Sequence, residues 1–272
     1  VSAVARTRAF VGRHLVVVAG MFTLAFMMLP IVVVIGFSFN DPAGRYNFTW
    51  NSFTTDNWTN LCGVEGMCEG VTLSLRIALL ATIIATILGT LMAFALVRYK
   101  FRGRSVTNVL VLLPMTMPEV VLGASLLTLF VNLKLQLGFI TILLAHVMFC
   151  LSFVVVTVRA RLAGLDGHLE EAAQDLYATR WRTFRRVTLP LVMPGIAAAA
   201  LISFALSFDD FIITNFTAGS DVTFPVFIWG AARRGVPPQV NVVATIMFLV
   251  AISVVILVQL IAWRRRKAAA RA

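Results

Sequence analysis

Six apolar stretches dictate what this chain can become. They run over residues 15–37, 71–97, 105–131, 139–158, 189–216 and 242–263, with few charges inside any of them. A helix needs about 20 such residues to cross the hydrocarbon core of a bilayer. It also satisfies its own backbone N–H and C=O groups there, which water cannot do. The expectation is an all-α, polytopic membrane protein with six transmembrane helices in a single transmembrane domain over 1–272. Composition agrees: 60% of the 272 residues are hydrophobic and 13% are charged, and mean hydropathy is +0.91. Soluble domains carry about 25% charged residues. The first stretch is too long for the core of a signal peptide, and no convincing small-residue cleavage site accompanies it.

The net charge of +11 does not point to nucleic acid. The basic residues sit in short clusters between apolar runs, with no long basic and aromatic platform. Their distribution sets topology instead. Three, four, six and five Lys or Arg fall in the segments on the N-terminal side, eighteen in all, against Arg45, Lys134, Arg233 and Arg234 on the other. Such a bias marks the cytoplasmic side. Both termini and the segment 159–190 are therefore expected in the cytoplasm, and the loop 38–70 outside.

That outer loop carries Trp50 and Trp58, residues that commonly anchor at a membrane interface, together with Cys62 and Cys68. The two cysteines can close a small disulfide loop if their side is oxidising, or stand as free thiols. The third, Cys150, lies inside a span, and His14, His146 and His168 are scattered far from all three. No metal site is expected.

Carboxylates inside the spans are costly and mark function by default. Glu119, Asp209 and Asp210 are the three. On a continuous helix over 189–216, Ser203, Ser207, Asp210 and Thr214 form one polar stripe at spacings of four, three and four. Asp210 is then the leading candidate for the wall of a substrate pathway, in the outer half of its span, with Asp209 flanking it or pairing with a neighbouring helix; the structural alternative for the two is a buried ion pair or a cap at a helix end near the outer surface. Thr116, Glu119 and Gly123 share a face in the same way. Pro114 and Pro118 are expected to kink or break that span, which would put Glu119 in the first turn of a restarted helix. With Arg76 the only basic residue in a span, the pathway suits a cation, held by weak multiple contacts that let it leave. Adjacent Asp209 and Asp210 point about 100° apart on a helix, which disfavours a shared-proton hydrolase dyad.

The most distinctive polar segment is EEAAQDLYATRWRTFRRVTLPLVMP, residues 170–194. Glu171, Ala172 and Ala173 are expected at the start of a short helix, where small side chains leave a low surface. Arg180, Arg182, Arg185 and Arg186 follow, then Leu189-Pro190. This order resembles the EAA loop of permease subunits in ABC-type importers. Glu171, Ala172, Ala173, Val187, Leu189 and Pro190 fall in register, and Tyr177 occupies the position of the family's glycine. Tyrosine resists the positive φ that glycine adopts freely, so either a different turn or an added contact by the ring is expected there. SFALSFDDFIITNFTAG, LPMTMPEVVLGASLL and CLSFVVVTVRARLAGLD resemble the second permease subunit of spermidine/putrescine importers.

The resemblance implies a coupling helix that docks on an ATPase, two ATPase subunits, a second related permease and an extracytoplasmic binding protein. It implies a multi-pass place in the bacterial cytoplasmic membrane and no nucleic-acid partner. No Gly-x-x-x-x-Gly-Lys-Ser/Thr loop occurs in the chain, so ATP and Mg are expected on the partner ATPase, with no cofactor bound here. The implied activity is ATP-driven alternating access for a polyamine. The alternatives are another small organic cation or solute, or proton-coupled secondary transport. No inverted repeat supports the last.

Overall fold

The computed structural model describes residues 3–269. Arg271, one of the residues behind the charge bias, lies outside that range. In chain order the elements are α1 (Ala3–Phe37), β1 (Asn40–Asp41), β2 (Ser52–Phe53), α2 (Asp56–Thr59), α3 (Met67–Arg98), α4 (Arg104–Thr116), α5 (Glu119–Asn132), α6 (Phe139–Ala163), α7 (His168–Asp175), α8 (Arg180–Thr183), α9 (Leu189–Asp209), α10 (Ile212–Thr217), α11 (Phe224–Arg234) and α12 (Pro238–Ala269). Among the described residues, five helices are long and apolar enough to cross a membrane, and six spans result if α4 and α5 count as one. Two units emerge, one of residues 66–227 and one of the flanking segments.

In the first unit, α3, α6 and α9 pack against one another. Small residues permit the approach. A Cβ on Gly89 of α3 would fall 2.7 Å from Val154 Cγ1 of α6, so only glycine lets these helices come so close. Ala85, Cys150, Val154, Val155 and Ala199 are buried in the resulting core.

Two expected spans are not continuous helices. Between α4 and α5 the axis bends by 110°, because Pro118 has no N–H to carry the ladder onward and restricts Met117 to an extended conformation. Met117 has ψ 145°. The shared face proposed for Thr116, Glu119 and Gly123 is thus split between two helices. The continuous helix over 189–216 is also corrected. α9 stops at Asp209, Asp210 takes φ −64° and ψ 120°, and a new helix starts at Ile212. The Asp210 carboxylate accepts the N–H groups of Ile213 and Thr214 at 3.4 and 2.8 Å. A short polar side chain that satisfies the free donors of the next helix competes with continuation of the first.

At the other end of α9, a π-helical turn over Phe184–Thr188 joins α8 to the helix. Pro190 and Pro194 each withdraw an N–H from the ladder that follows, and a widened turn next to such a gap is cheap.

The second unit combines α1, the outer segment and α12. Pro30, Ile31, Val34 and Ile35 face Ala244, Thr245 and Phe248 across a small cavity. The segment after α1 is less loop-like than its composition suggests. Buried Asn40 donates to Asn47 Oδ1 at 2.6 Å and to the Thr49 carbonyl at 2.9 Å, and accepts from the Asn51 N–H at 2.8 Å. Asn57 donates to the carbonyls of Ser38 and Asn40. These amides satisfy backbone groups that the two-residue pairing of β1 with β2 leaves open. Cys62 and Cys68 are disulfide-bonded, and Cys150 is free and buried.

Candidate functional site

The segment around Glu171 forms a projecting platform. α7 buries none of its residues. Its N-terminal turn carries Glu170 and Glu171, placed where the helix dipole favours negative charge. Glu170 is turned inward. The two terminal guanidinium nitrogens of Arg98, Nη1 and Nη2, donate to its carboxylate oxygens Oε2 and Oε1, and the Thr188 hydroxyl donates to Oε1. The Arg98 bonds hold the Glu170 carboxyl below the usual carboxylate range, burial opposes this, and the Thr188 bond adds to it. Glu170 therefore ties α7 to the end of α3 and to the π turn before α9. Glu171 and Ala172 are left exposed on the outer side, with Ala173 half-buried.

The helix ends in a Schellman turn. The Tyr177 N–H donates to the Gln174 carbonyl at 2.9 Å, and the Ala178 N–H to the Ala173 carbonyl at 3.1 Å. Tyr177 sits at the left-handed position with φ 58°. The turn that glycine would make is kept, and tyrosine adopts it. The ring is 95% exposed and Leu176 is 82% exposed, so within this chain the ring adds no packing. Val187 and Leu189 are half-buried and Pro190 is exposed, at the junction with α9. Behind the platform lies a cavity of about 710 Å³ lined by Leu91, Phe94, Arg98, Gln174, Trp181 and Phe184, among others. Phe94 meets Phe184 edge-on at 5.5 Å, and Trp181 stacks on Phe184 at 5.6 Å. The geometry suits a lever with one exposed face and a fixed root.

The carboxylates sit at the two helix breaks. Glu119 opens α5 and is exposed, as is Thr116 before it. Asp209 closes α9 and is exposed. α5 packs on α10, and Gly123 permits this, since a Cβ there would fall 2.6 Å from Phe216 Cδ2. The packing brings Glu119 within electrostatic range of Asp209 and Asp210. An ionised carboxylate cannot face hydrocarbon without a large cost, so this exposed side belongs against water or another protein.

Asp210 is different. It is 9% exposed and faces α6, not the open side. Its Oδ2 accepts from the Thr214 hydroxyl at 2.9 Å and lies 3.3 Å from His146 Nε2. The His146 ring also meets Thr214 Oγ1 through Nε2 at 2.9 Å and Ser207 Oγ through Nδ1 at 2.7 Å. Ser207, Asp210 and Thr214 do share a side, but it is the inside of this unit. Sequence patterning did not single out His146. Its signal was available: an ionisable residue in mid-span is itself unusual.

The chain matches the family described as binding-protein-dependent transport system inner membrane component over residues 85–267. It is 39% identical over 244 residues to the spermidine/putrescine transport system permease protein PotC of Escherichia coli K12, covering 89% of this chain and 92% of that one. It is 37% identical to the putrescine transport system permease protein PotI of the same strain, covering 88% and 85%. Among solved structures, a chain of a bacterial alginate ABC transporter in complex with an alginate pentasaccharide-bound periplasmic protein aligns with a TM-score of 0.64. It is 16% identical, and the alignment covers 93% of each chain. At that identity the likeness speaks for the fold.

Proposed function

Because the chain belongs to the family of binding-protein-dependent transport system inner membrane components, we propose that it is one permease subunit of an ABC importer for spermidine or putrescine. The observation that carries the substrate is the 39% identity to a spermidine/putrescine permease over 89% of this chain. The chemistry is compatible. Glu119 and Asp209 stand exposed at two helix breaks, and carboxylates complement an organic polycation. An anion would be repelled by them.

In this reading the termini and the α7 platform lie in the cytoplasm, following the excess of Lys and Arg there. The chain carries no phosphate-binding glycine loop, so ATP and Mg belong to a pair of partner ATPase subunits. A second, related permease supplies the other half of the pathway, and an extracytoplasmic binding protein delivers the amine. α7 with exposed Glu171 and Ala172 seats on the ATPase. When the ATPase pair closes, α7 moves, and the Glu170 ties to Arg98 and Thr188 carry that movement into α3 and α9. α9 ends at Asp209, so displacement of its inner end is felt at the carboxylates.

Uptake of labelled spermidine and putrescine tests this in cells that lack their own polyamine importers and express this chain with its partner subunits. Accumulation that unlabelled polyamine abolishes and an uncharged diol of equal length leaves intact is expected. Accumulation of neither amine would reject the substrate.

A further inference from the structure

We infer that His146 is a positioning residue that pins Asp210 inside the subunit, so that Asp209 alone of the acidic pair is presented to the substrate. The inference rests on the transport reading above and reassigns the two adjacent aspartates within it.

Both oxygens of Asp210 are engaged within the chain. Its Oδ2 takes the Thr214 N–H and the Thr214 hydroxyl, and Oδ1 faces the Ile213 N–H. His146 closes the set. The Thr214 hydroxyl proton is directed to Asp210, so its oxygen is free to accept from His146 Nε2–H. Nδ1 meets the Ser207 hydroxyl at 2.7 Å. One imidazole thus joins Ser207, Thr214 and Asp210 in a single chain of polar groups, all buried. Such a closed buried network fixes a conformation, and removing one member strands the others.

What it fixes is the helix break. α9 could run through Asp210 only if the carboxylate released the start of α10. With Asp210 drawn towards α6, its neighbour Asp209 is left on the exposed side. Asp209 is the last residue of α9 and Asp210 is the extended joint that follows it. Holding Asp210 fixes the end of α9, and with it the direction of Asp209. The specificity of the site then depends on Asp209 and Glu119, and the charge of Asp210 contributes little to amine binding.

This separates two roles by two substitutions. Asparagine is a good helix cap of nearly the same shape as aspartate, so Asp210→Asn keeps the pin and removes the charge. Asp210→Ala removes both. In the assembled transporter, with complex formation verified by copurification, Asp210→Asn is expected to retain spermidine uptake within about threefold. Asp209→Asn is expected to raise KM on the order of tenfold, the worth of one charge-assisted bond. Asp210→Ala and His146→Ala are expected to lose uptake while the complex still assembles. An Asp210→Asn defect equal to that of Asp209→Asn, or wild-type KM in His146→Ala, would overturn the inference.

A second measurement does not depend on which solute is carried. Asp209→Cys in the intact complex should react with a cationic methanethiosulfonate, read on this chain by mass spectrometry, and adding His146→Ala should slow the reaction several-fold. Equal rates in the two backgrounds would refute the pin even where wild-type transport of polyamines is normal. A wild-type complex that carries no polyamine, together with the rate difference between the two variants, would instead reject the substrate and leave the pin standing.

Discussion

Arg98 at the end of α3 and Glu170 in the first turn of α7 are separated by 72 residues and meet through two parallel N–H···O bonds. The pair is what roots the exposed platform in the bundle. An exposed ion pair contributes only about 1 kcal/mol or less to stability, so its role is better sought in transmission. Glu170→Gln and Arg98→Ala should leave the yield of folded complex near wild type. Each should lower transport per ATP hydrolysed several-fold, measured as the ratio of amine uptake to phosphate release in proteoliposomes.

The same carboxylate gives a pH prediction. Arg98 holds the Glu170 carboxyl below its ordinary range. A depressed carboxylate stabilises the folded state fully above its unfolded pKa of about 4.3. That contribution is lost as pH falls through the folded value. Thermal melts of the detergent-solubilised complex should therefore show no Glu170-dependent change between pH 7 and 5. Below about pH 4.3 the wild type should lose stability faster than Glu170→Gln. The exposure of Arg98 keeps the difference small.

Tyr177 holds φ 58° with its ring 95% exposed. A left-handed conformation costs a non-glycine residue about 1–2 kcal/mol, and glycine returns part of that as unfolded-chain entropy. Tyr177→Gly should leave the isolated chain equally stable or about 1 kcal/mol more stable. If the ring contacts the ATPase, the same variant should bind it more weakly. Melting temperature and copurification separate the two effects.

Gly89 lies where α3 crosses α6, and a Cβ there would stand 2.7 Å from Val154 Cγ1 and 3.3 Å from the Leu151 carbonyl. Gly89→Leu should destabilise the bundle by roughly 1–3 kcal/mol. Size-exclusion profiles after detergent extraction should show lost monodispersity, and Gly89→Leu with Val154→Ala should recover part of it.

The apolar spans were legible because the bilayer imposes a length and a composition that hydropathy reads directly. The platform was legible because Glu171, Ala172, Ala173, Leu189 and Pro190 keep a fixed order. Span interiors were harder. Periodicity assumes an unbroken helix, and Asp210 breaks one by capping the next, a competition that hydropathy does not register. His146 finds Ser207 at a separation of 61 residues, a pairing only the packing of α6 on α9 can reveal. Tyr177 shows the reverse case: local sequence argued against the turn, and the backbone hydrogen bonds of the Schellman motif outweigh the strain.

The claim that the exposed face of α7 couples this chain to an ATPase is tested most directly by ATP hydrolysis in the purified complex, with and without amine-loaded binding protein. Glu171 and Ala172 are exposed and hold nothing together inside the chain. Glu171→Lys and Ala172→Trp should therefore leave the permease folded and abolish the stimulation of hydrolysis by loaded binding protein. Full stimulation in both variants would contradict the account.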